Sequence, residues 1–228
     1  IAGIFSIVWL RKHYTGLFKL PPMGEIINSY KEGWSIFVSS LAVNLYTATN
    51  VVVLGMLTNN VIVGYYSAAD KLITCVRRGI YAVSDAIYPF ISKMMRDDIP
   101  KGLQFIKKQL FLYLIVGLVG CTSLFFFSDT IVRLLFGADY DLTVDVLRIL
   151  SFVPLAVAIS TVFGEETMLP LNMNSAYSRT LVLGAFFSLI SIFPLCYLWG
   201  AKGVAITMLL TEFLIMSIMG GLLRKQLF

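Results

Sequence analysis

Long apolar runs separated by short polar stretches dominate the sequence. An α-helix needs about 20 residues to cross a hydrocarbon core about 30 Å thick. The strands of a membrane β-barrel would instead alternate apolar and polar residues over segments of about ten, a period that this sequence does not show. We therefore expect an all-α fold, a polytopic membrane helix bundle of about six spans. The spans are expected at about 34–57, 61–95, 110–136, 144–169, 181–199 and 204–223.

The composition agrees with this prediction and excludes a soluble protein. Hydrophobic residues make up 58% of the 228 residues and charged residues 14%, whereas soluble domains are about 25% charged. The net charge of +5 comes from lysines and arginines at the ends of apolar runs, where lipid headgroups and topology explain them, so no nucleic-acid partner is expected. Three cysteines stand singly inside apolar segments and His13 is the only histidine, so neither a metal nor a cofactor is expected.

The distribution of positive charge predicts the topology. Residues 1–10 are apolar and precede Arg11, Lys12 and His13, whereas a signal peptide carries its positive charges first, so we expect 1–10 to be the end of a transmembrane helix. Residues 11–33 form a polar connector. The connectors at 11–31 and 93–108, Arg179 and the pair at 224–225 are basic, and the positive-inside rule puts them and the C-terminus in the cytoplasm.

The second span carries an unusual stripe of polar residues. At about 100° per residue, Thr74, Arg77, Tyr81 and Tyr88 fall within about 40° of Asp70. Arg78, Asp85 and Lys71 lie at the edge of the same arc. Ionisable residues inside a span are costly and commonly mark a substrate or ion route. The alternative is a structural network in which Asp70 pairs with Arg77, and Arg78 with Asp85.

Positive charge together with tyrosine suits an anionic ligand that carries sugars. Arginine binds phosphate oxygens bidentately, and tyrosine rings pack against apolar surfaces while their hydroxyls form hydrogen bonds. The preceding span adds polar residues that either line a cavity or bond between helices. The candidate cavity residues are Arg77, Arg78, Lys71, Asp70, Asp85, Tyr81, Tyr88, Asn44 and Thr47. Glu212 and Asp85 are candidates for ion coupling, and Pro154, Gly164 and Pro194 for helix kinks.

Three stretches resemble a known group of transporters: VGYYSAADKL at 63–72, LLFGADYDLTVDVLRIL at 134–150 and WGAKGVAITMLLTEF at 199–213. They are similar to polysaccharide exporters of the multidrug/oligosaccharidyl-lipid/polysaccharide superfamily, particularly Wzx-type O-antigen flippases. That resemblance implies twelve helices in two six-helix lobes. Residues 1–10 would then end the sixth helix, 11–33 would be a cytoplasmic connector, and 34–228 would be the C-terminal six-helix lobe beside an N-terminal lobe absent from this chain.

The resemblance also implies an activity. These proteins move undecaprenyl-diphosphate-linked oligosaccharide from the cytoplasmic to the periplasmic leaflet of the bacterial inner membrane by alternating access, so Arg77, Arg78 and then Lys71 would engage the diphosphate or acidic sugars. The expected partners are the lipid-linked oligosaccharide, membrane lipid, the N-terminal lobe, a polysaccharide polymerase and a chain-length regulator.

Several other functions were weighed against this one. No P-loop, HExxH, GxSxG or GxGxxG motif is present, so we expect a transporter and not an enzyme. The alternatives are a multidrug-type or lipid II exporter of the same superfamily, or a membrane polysaccharide polymerase. A polymerase would need a large periplasmic loop or a catalytic His/Asp pair, and a drug exporter would favour carboxylates over arginines in its cavity.

Overall fold

The computed structural model describes residues 22–137 and 139–227, and all regular elements in these ranges are helical. The chain divides into two compact units, Ile1–Trp34 and Ser35–Phe228, and of the first only the opening turns of helix α1 are described. The elements are α1 (Met23–Leu57), α2 (Asn60–Asp97), α3 (Ile99–Phe126), α4 (Ser128–Phe136), α5 (Asp141–Leu150), α6 (Val153–Phe163), a π-helical turn (Gly164–Met168) and α7 (Asn174–Leu227).

The lengths of these helices confirm an all-α membrane bundle. Within the described ranges, four stretches are long and apolar enough to cross a membrane: Phe37–Leu57, Ile99–Phe126, Asp141–Met168 and Asn174–Leu227. At 1.5 Å per residue, α7 is about 80 Å long, enough for two crossings with a reversal between them. Helix α2 is also long enough to cross a membrane, but it carries too many charged residues to count among these four stretches.

The chain reverses direction in the middle of α7. Gly200 leaves the helical conformation with φ 55° and ψ −129°, at the turn that the sequence predicts. A positive φ of this size strains any residue that carries a Cβ. Three residues later, Gly203 packs so closely on the preceding segment that a Cβ there would overlap the Leu195 carbonyl. The reversal therefore depends on one glycine for its backbone angle and on another for its packing.

The spans begin and end at places that apolar runs alone do not mark. Instead of a third span over 110–136, α3 ends at Phe126 and a separate α4 begins at Ser128. The Ser128 hydroxyl donates to the Phe125 carbonyl (2.9 Å), a local bond that competes with the helical ladder. Helix α1 begins at Met23, inside the predicted connector, because the amphipathic segment before the apolar run is helical too.

The kinks expected in the fourth span are observed. Helix α5 ends at Leu150 and α6 begins at Val153, with Pro154 in its first turn, where a missing amide hydrogen costs nothing. Gly164 then opens the π-helical turn. This span is the centre of the bundle, because 72% of the residues in its most apolar 18-residue stretch are buried, against 11% in the corresponding stretch of α3. A helix that is apolar on all sides belongs in such a position.

Contacts between elements define the two ends of the bundle. At the first end, Thr143 donates to the Tyr65 carbonyl (2.9 Å) and Lys202 pairs with Asp145 (2.7 Å). We refer to this end of the bundle as the Gly200 end. At the other end, Asp98 accepts a hydrogen bond from the Lys101 amide (3.2 Å) and caps α3. We refer to this end as the Asp98 end. The hydrogen bonds from Lys101 lower the pKa of Asp98.

Replacing Gly203 with alanine should destabilise the hairpin in α7. The neighbouring atoms are backbone, which cannot move as a side-chain tip can, so we expect a loss of at least about 1–3 kcal/mol, seen as a lower melting temperature in detergent. Gly221→Ala is the control, because no atom lies within 4 Å of its Cβ position and alanine favours a helix. Equal melting temperatures for the two variants would contradict this packing.

The two ends should lie on opposite sides of the membrane. Single cysteines placed at Asn60 and Asp139 mark the Gly200 end, and others at Lys101 and Arg224 mark the basic Asp98 end; all four positions are exposed. With the native cysteines replaced, an impermeant maleimide should label the first pair in intact cells and the second pair only after permeabilisation. Labelling of all four from one side would overturn the topology.

Candidate functional site

A buried ion pair lies midway along the spans. Arg77 of α2 pairs with Glu212 of α7, with 3.6 Å between Nη2 and Oε1, and the Tyr46 hydroxyl of α1 donates to the same oxygen at 2.9 Å. All three side chains are buried, with 8% of Arg77, 3% of Glu212 and 2% of Tyr46 exposed. This triad joins the consecutive helices α1 and α2 to α7, which is far from both in sequence.

Burial makes the triad interdependent. A charge taken out of water costs several kcal/mol unless a partner and hydrogen bonds compensate it. Glu212 has a cation and a hydroxyl donor, and Tyr81 lies within electrostatic range of Arg77. The Arg77 Nε is buried and has no hydrogen-bond partner within the described ranges. Arg77 therefore retains donor capacity that its present partners do not use.

The triad borders a polar cavity. Tyr46, Tyr81 and Glu212 line a space of about 410 Å³ that continues past Asp85 and Glu165 toward the Asp98 end. An adjoining space of about 320 Å³ shares Asp85, Glu165 and Tyr177 and adds Ser84 and Tyr88. We refer to the two together as the polar cavity.

The polar cavity is acidic. Asp85, Glu165 and Glu212 line it, and no lysine or arginine does so in the part of the chain that the structure describes. Arg77 contacts Glu212 but is not among the residues that line the cavity. Within the same ranges, no group of three His, Cys, Asp or Glu residues is close enough to hold a metal ion. Such a cavity favours protons or cations over anions.

Helix α2 exposes two different faces. Lys71, Arg78 and Asp85 are exposed and follow one another at intervals of seven, so they align within about 40° as a charged ridge. Val76, Val83 and Phe90 are also exposed at intervals of seven, about 120–160° away from Arg78. Charged side chains avoid lipid, so the apolar face suits the hydrocarbon and the charged ridge suits a protein-lined or aqueous space.

The structure divides the predicted cavity residues into groups. Tyr81, Asp85, Tyr88, Asn44 and Glu212 line the polar cavity.

Four others lie elsewhere. Lys71 and Arg78 belong to the charged ridge, Asp70 is half-buried, and Thr47 donates to the Val43 carbonyl of its own helix at 2.8 Å. Asn44 likewise donates to the Ser40 carbonyl at 2.9 Å.

The alternative of ion pairs within α2 is not observed. Asp70 lies within electrostatic range of Arg77 but forms no salt bridge with it, and Arg78 and Asp85 do not pair. A helical wheel considers one helix alone, whereas the partner of Arg77 is Glu212 of α7. Glu212 also accepts a hydrogen bond from Tyr46, so it takes part in a hydrogen-bond network as well as in the ion pair.

Two further residues of the site, Glu165 and Glu166, stand near the predicted end of the fourth span, where the sequence alone does not single them out. In the π-helical turn Glu165 lines the polar cavity, while Glu166 is fully buried and accepts a hydrogen bond from Ser84 at 2.6 Å. π-helical turns are rare and frequent at functional sites. Two adjacent glutamates after Gly164, in an otherwise apolar run, were the available signal.

These features define a polytopic α-helical membrane protein with a charged, buried site between its spans. Residues 1–95 match the family model described as polysaccharide biosynthesis protein. The chain is 30% identical over 219 residues, 96% of its length, to a Shigella dysenteriae protein named "Putative O-antigen transporter". It is 31% identical over 227 residues, 99% of its length, to an Escherichia coli (strain K12) protein of the same name.

The comparisons confirm the resemblance to polysaccharide exporters that the sequence motifs indicate. The chain spans about half of these relatives, 54% of each. No solved structure matches it significantly.

Removing one partner of the buried pair should cost more than removing both. Arg77→Met leaves a buried carboxylate without its cation, so we expect a loss of about 3–5 kcal/mol in unfolding free energy. The double variant Arg77→Met, Glu212→Leu should lose clearly less than the sum of the single variants. Arg133→Met is the control, because Arg133 pairs with Asp129 at an exposed site where a pair contributes at most about 1 kcal/mol. Additive losses at the buried pair would contradict the interaction.

Proposed function

We propose that the protein moves an undecaprenyl-diphosphate-linked oligosaccharide, an O-antigen or other polysaccharide repeat unit, from the cytoplasmic to the periplasmic leaflet of the bacterial inner membrane. Transport proceeds by alternating access between two lobes, of which residues 34–228 form the C-terminal one. The C-terminus and the Asp98 end are cytoplasmic. Similarity to two proteins named as O-antigen transporters supports the substrate class. The protein is a transporter and not an enzyme.

The observation that carries the proposal is the buried Arg77–Glu212 pair beside the polar cavity. Well-packed apolar residues of similar volume often stabilise a protein as well as a buried ion pair does. Stability alone therefore gives little reason to keep charges in the middle of a membrane bundle, whereas a substrate or ion route gives a strong one.

Because the polar cavity is acidic, ion coupling and anion binding are assigned to two different parts of the lobe. The diphosphate carries negative charge and is repelled by Asp85, Glu165 and Glu212, so these carboxylates serve the coupling ion. Arg78 and Lys71 on the charged ridge, which faces the central pathway, are the candidates for the diphosphate or acidic sugars. Arg77 joins them when Glu212 takes up a proton, because the guanidinium then loses its charged partner and becomes available to phosphate.

One observation favours a second candidate, a multidrug-type exporter. Three carboxylates at a cavity wall would also suit an organic cation. The exposed cations of the ridge and the similarity to O-antigen transporters favour the oligosaccharide.

Deleting the full-length gene should leave lipid-linked repeat units in the cytoplasmic leaflet, as determined by membrane-impermeant labelling. The wild-type gene should restore the periplasmic pool. Glu165→Gln and Arg78→Ala, at normal abundance, should each lower the rate of transfer at least about tenfold, a change of about 1.4 kcal/mol in the barrier.

Lys101→Ala is the matched control, because Lys101 is an exposed lysine at the Asp98 end and pairs only with Asp98. It should transport normally. Normal arrival of repeat units in the periplasmic leaflet of the deletion strain would overturn the proposed function. Export of organic cations by the same strain pair would then support the multidrug alternative.

A further inference from the structure

A second pocket lies at the Gly200 end, away from the polar cavity. It has a volume of about 450 Å³ and lies between the first turns of α2 and the segment that leads from α4 into α5. Its lining includes Tyr65, Ser67 and Lys71 from α2 together with Phe136 and Tyr140. Two of the three stretches that resemble polysaccharide exporters, 63–72 and 134–150, meet here. We refer to it as the aromatic pocket; of the residues that line it, the function proposed above uses Lys71 alone.

Three aromatic rings form one wall of the aromatic pocket. Tyr65 and Tyr140 meet edge to face, with 5.2 Å between ring centroids and an interplanar angle of 88°. The ring centroids of Phe136 and Tyr140 lie 5.5 Å apart, with an interplanar angle of 31°. Thr143 fixes the arrangement by donating to the Tyr65 carbonyl. All three rings are only half-buried, so part of their surface remains open to a ligand.

Polar groups accompany these rings. Lys71 is exposed and makes neither a salt bridge nor a hydrogen bond within the described ranges. Gly64 leaves space beside the rings, because no atom lies within 4 Å of its Cβ position. Ser67 and the tyrosine hydroxyls add further groups that can donate or accept. The pocket thus combines flat apolar surfaces with an unpaired cation and several hydroxyls.

We propose that the aromatic pocket binds a sugar unit of the oligosaccharide, an inference that rests on the function proposed above. A pyranose ring has an apolar C–H face, which packs on an aromatic ring, and a rim of hydroxyls, which need hydrogen-bond partners. Lys71 donates to hydroxyl or carboxylate oxygens of the sugar. Lys71 repels an organic cation. A lipid chain has no groups that could form hydrogen bonds with the hydroxyls of the pocket.

The location of the aromatic pocket indicates its place in transport. Lys71 belongs to both the pocket and the charged ridge, so the ridge leads from the carboxylate-lined cavity toward the aromatic rings. The pocket lies at the end of the lobe that the charge distribution places outside the cytoplasm. It therefore receives the glycan on the side of release.

The test uses the full-length protein, purified in detergent, and the lipid-free oligosaccharide released by mild acid from the repeat unit of the same bacterium. Saturation-transfer NMR should detect binding to the wild type. Tyr140→Leu, which keeps apolar volume and loses the ring, should weaken binding at least about tenfold, and Lys71→Met several-fold. Tyr140→Phe should bind within about threefold of the wild type, because the ring remains.

Tyr197→Leu is the matched control, because Tyr197 is 80% exposed and lies outside the pocket. It should leave binding unchanged. Tyr140 also contacts two other rings, so Lys71→Met provides a variant whose folding does not depend on that packing. Each variant is also measured for transfer between leaflets in the deletion strain.

The outcomes separate this inference from the proposed function. If the gene is required for transfer, but Tyr140→Leu and Lys71→Met bind and transfer as the wild type does, the aromatic pocket is not a sugar site and the proposed function stands. Absence of oligosaccharide binding to the wild type also overturns the inference. If the deletion strain transfers repeat units normally, the proposed function itself fails.

Discussion

The Arg77–Glu212 pair is the interaction on which the arrangement of this bundle depends. It is held in a medium that cannot solvate either charge, so Arg77 and Glu212 must remain in register although 135 positions separate them in the chain. Tyr46 adds a third helix to the same contact. Apolar packing against lipid-like surroundings discriminates poorly between helix registers, whereas a buried charge accepts only one. The polar cavity takes its shape from the helices that this contact aligns.

In the proposed function, the separation of charges along this part of the chain is what matters. The carboxylates Asp85 and Glu165 face the polar cavity, while Lys71 and Arg78 continue the ridge of α2 toward the Gly200 end. A diphosphate and a coupling cation have opposite electrostatic needs, and one uniform surface could not serve both. Glu212 connects the two requirements, because its charge determines how firmly Arg77 is held. On the same proposal, the aromatic pocket adds rings and a single cation, Lys71, for the sugar part of the substrate.

Much of the fold follows from the sequence, and the parts that do not have physical reasons. Run lengths predict the spans, and Gly200 and Pro154 mark a reversal and a break, because each of these signals is local. Helical spacing also placed Arg77 on a polar face of α2. Helical spacing could not identify the partner of Arg77, because Glu212 belongs to another helix, whose rotation is set only by packing. The roles of Glu165 and Glu166 depend on a π-helical turn, which no local rule of spacing predicts.

The two exposed faces of α2 also limit how the lobe can move. The apolar face with Val76 and Val83 and the ridge with Arg78 lie on nearly opposite sides of one cylinder. A twist of this helix about its own axis would carry a charge toward hydrocarbon, at a cost of about 2.5–3.5 kcal/mol per residue on insertion scales. Tilting or translating carries no such penalty. A change between inward and outward states that avoids this cost therefore tilts or slides α2 together with its neighbours and does not rotate it.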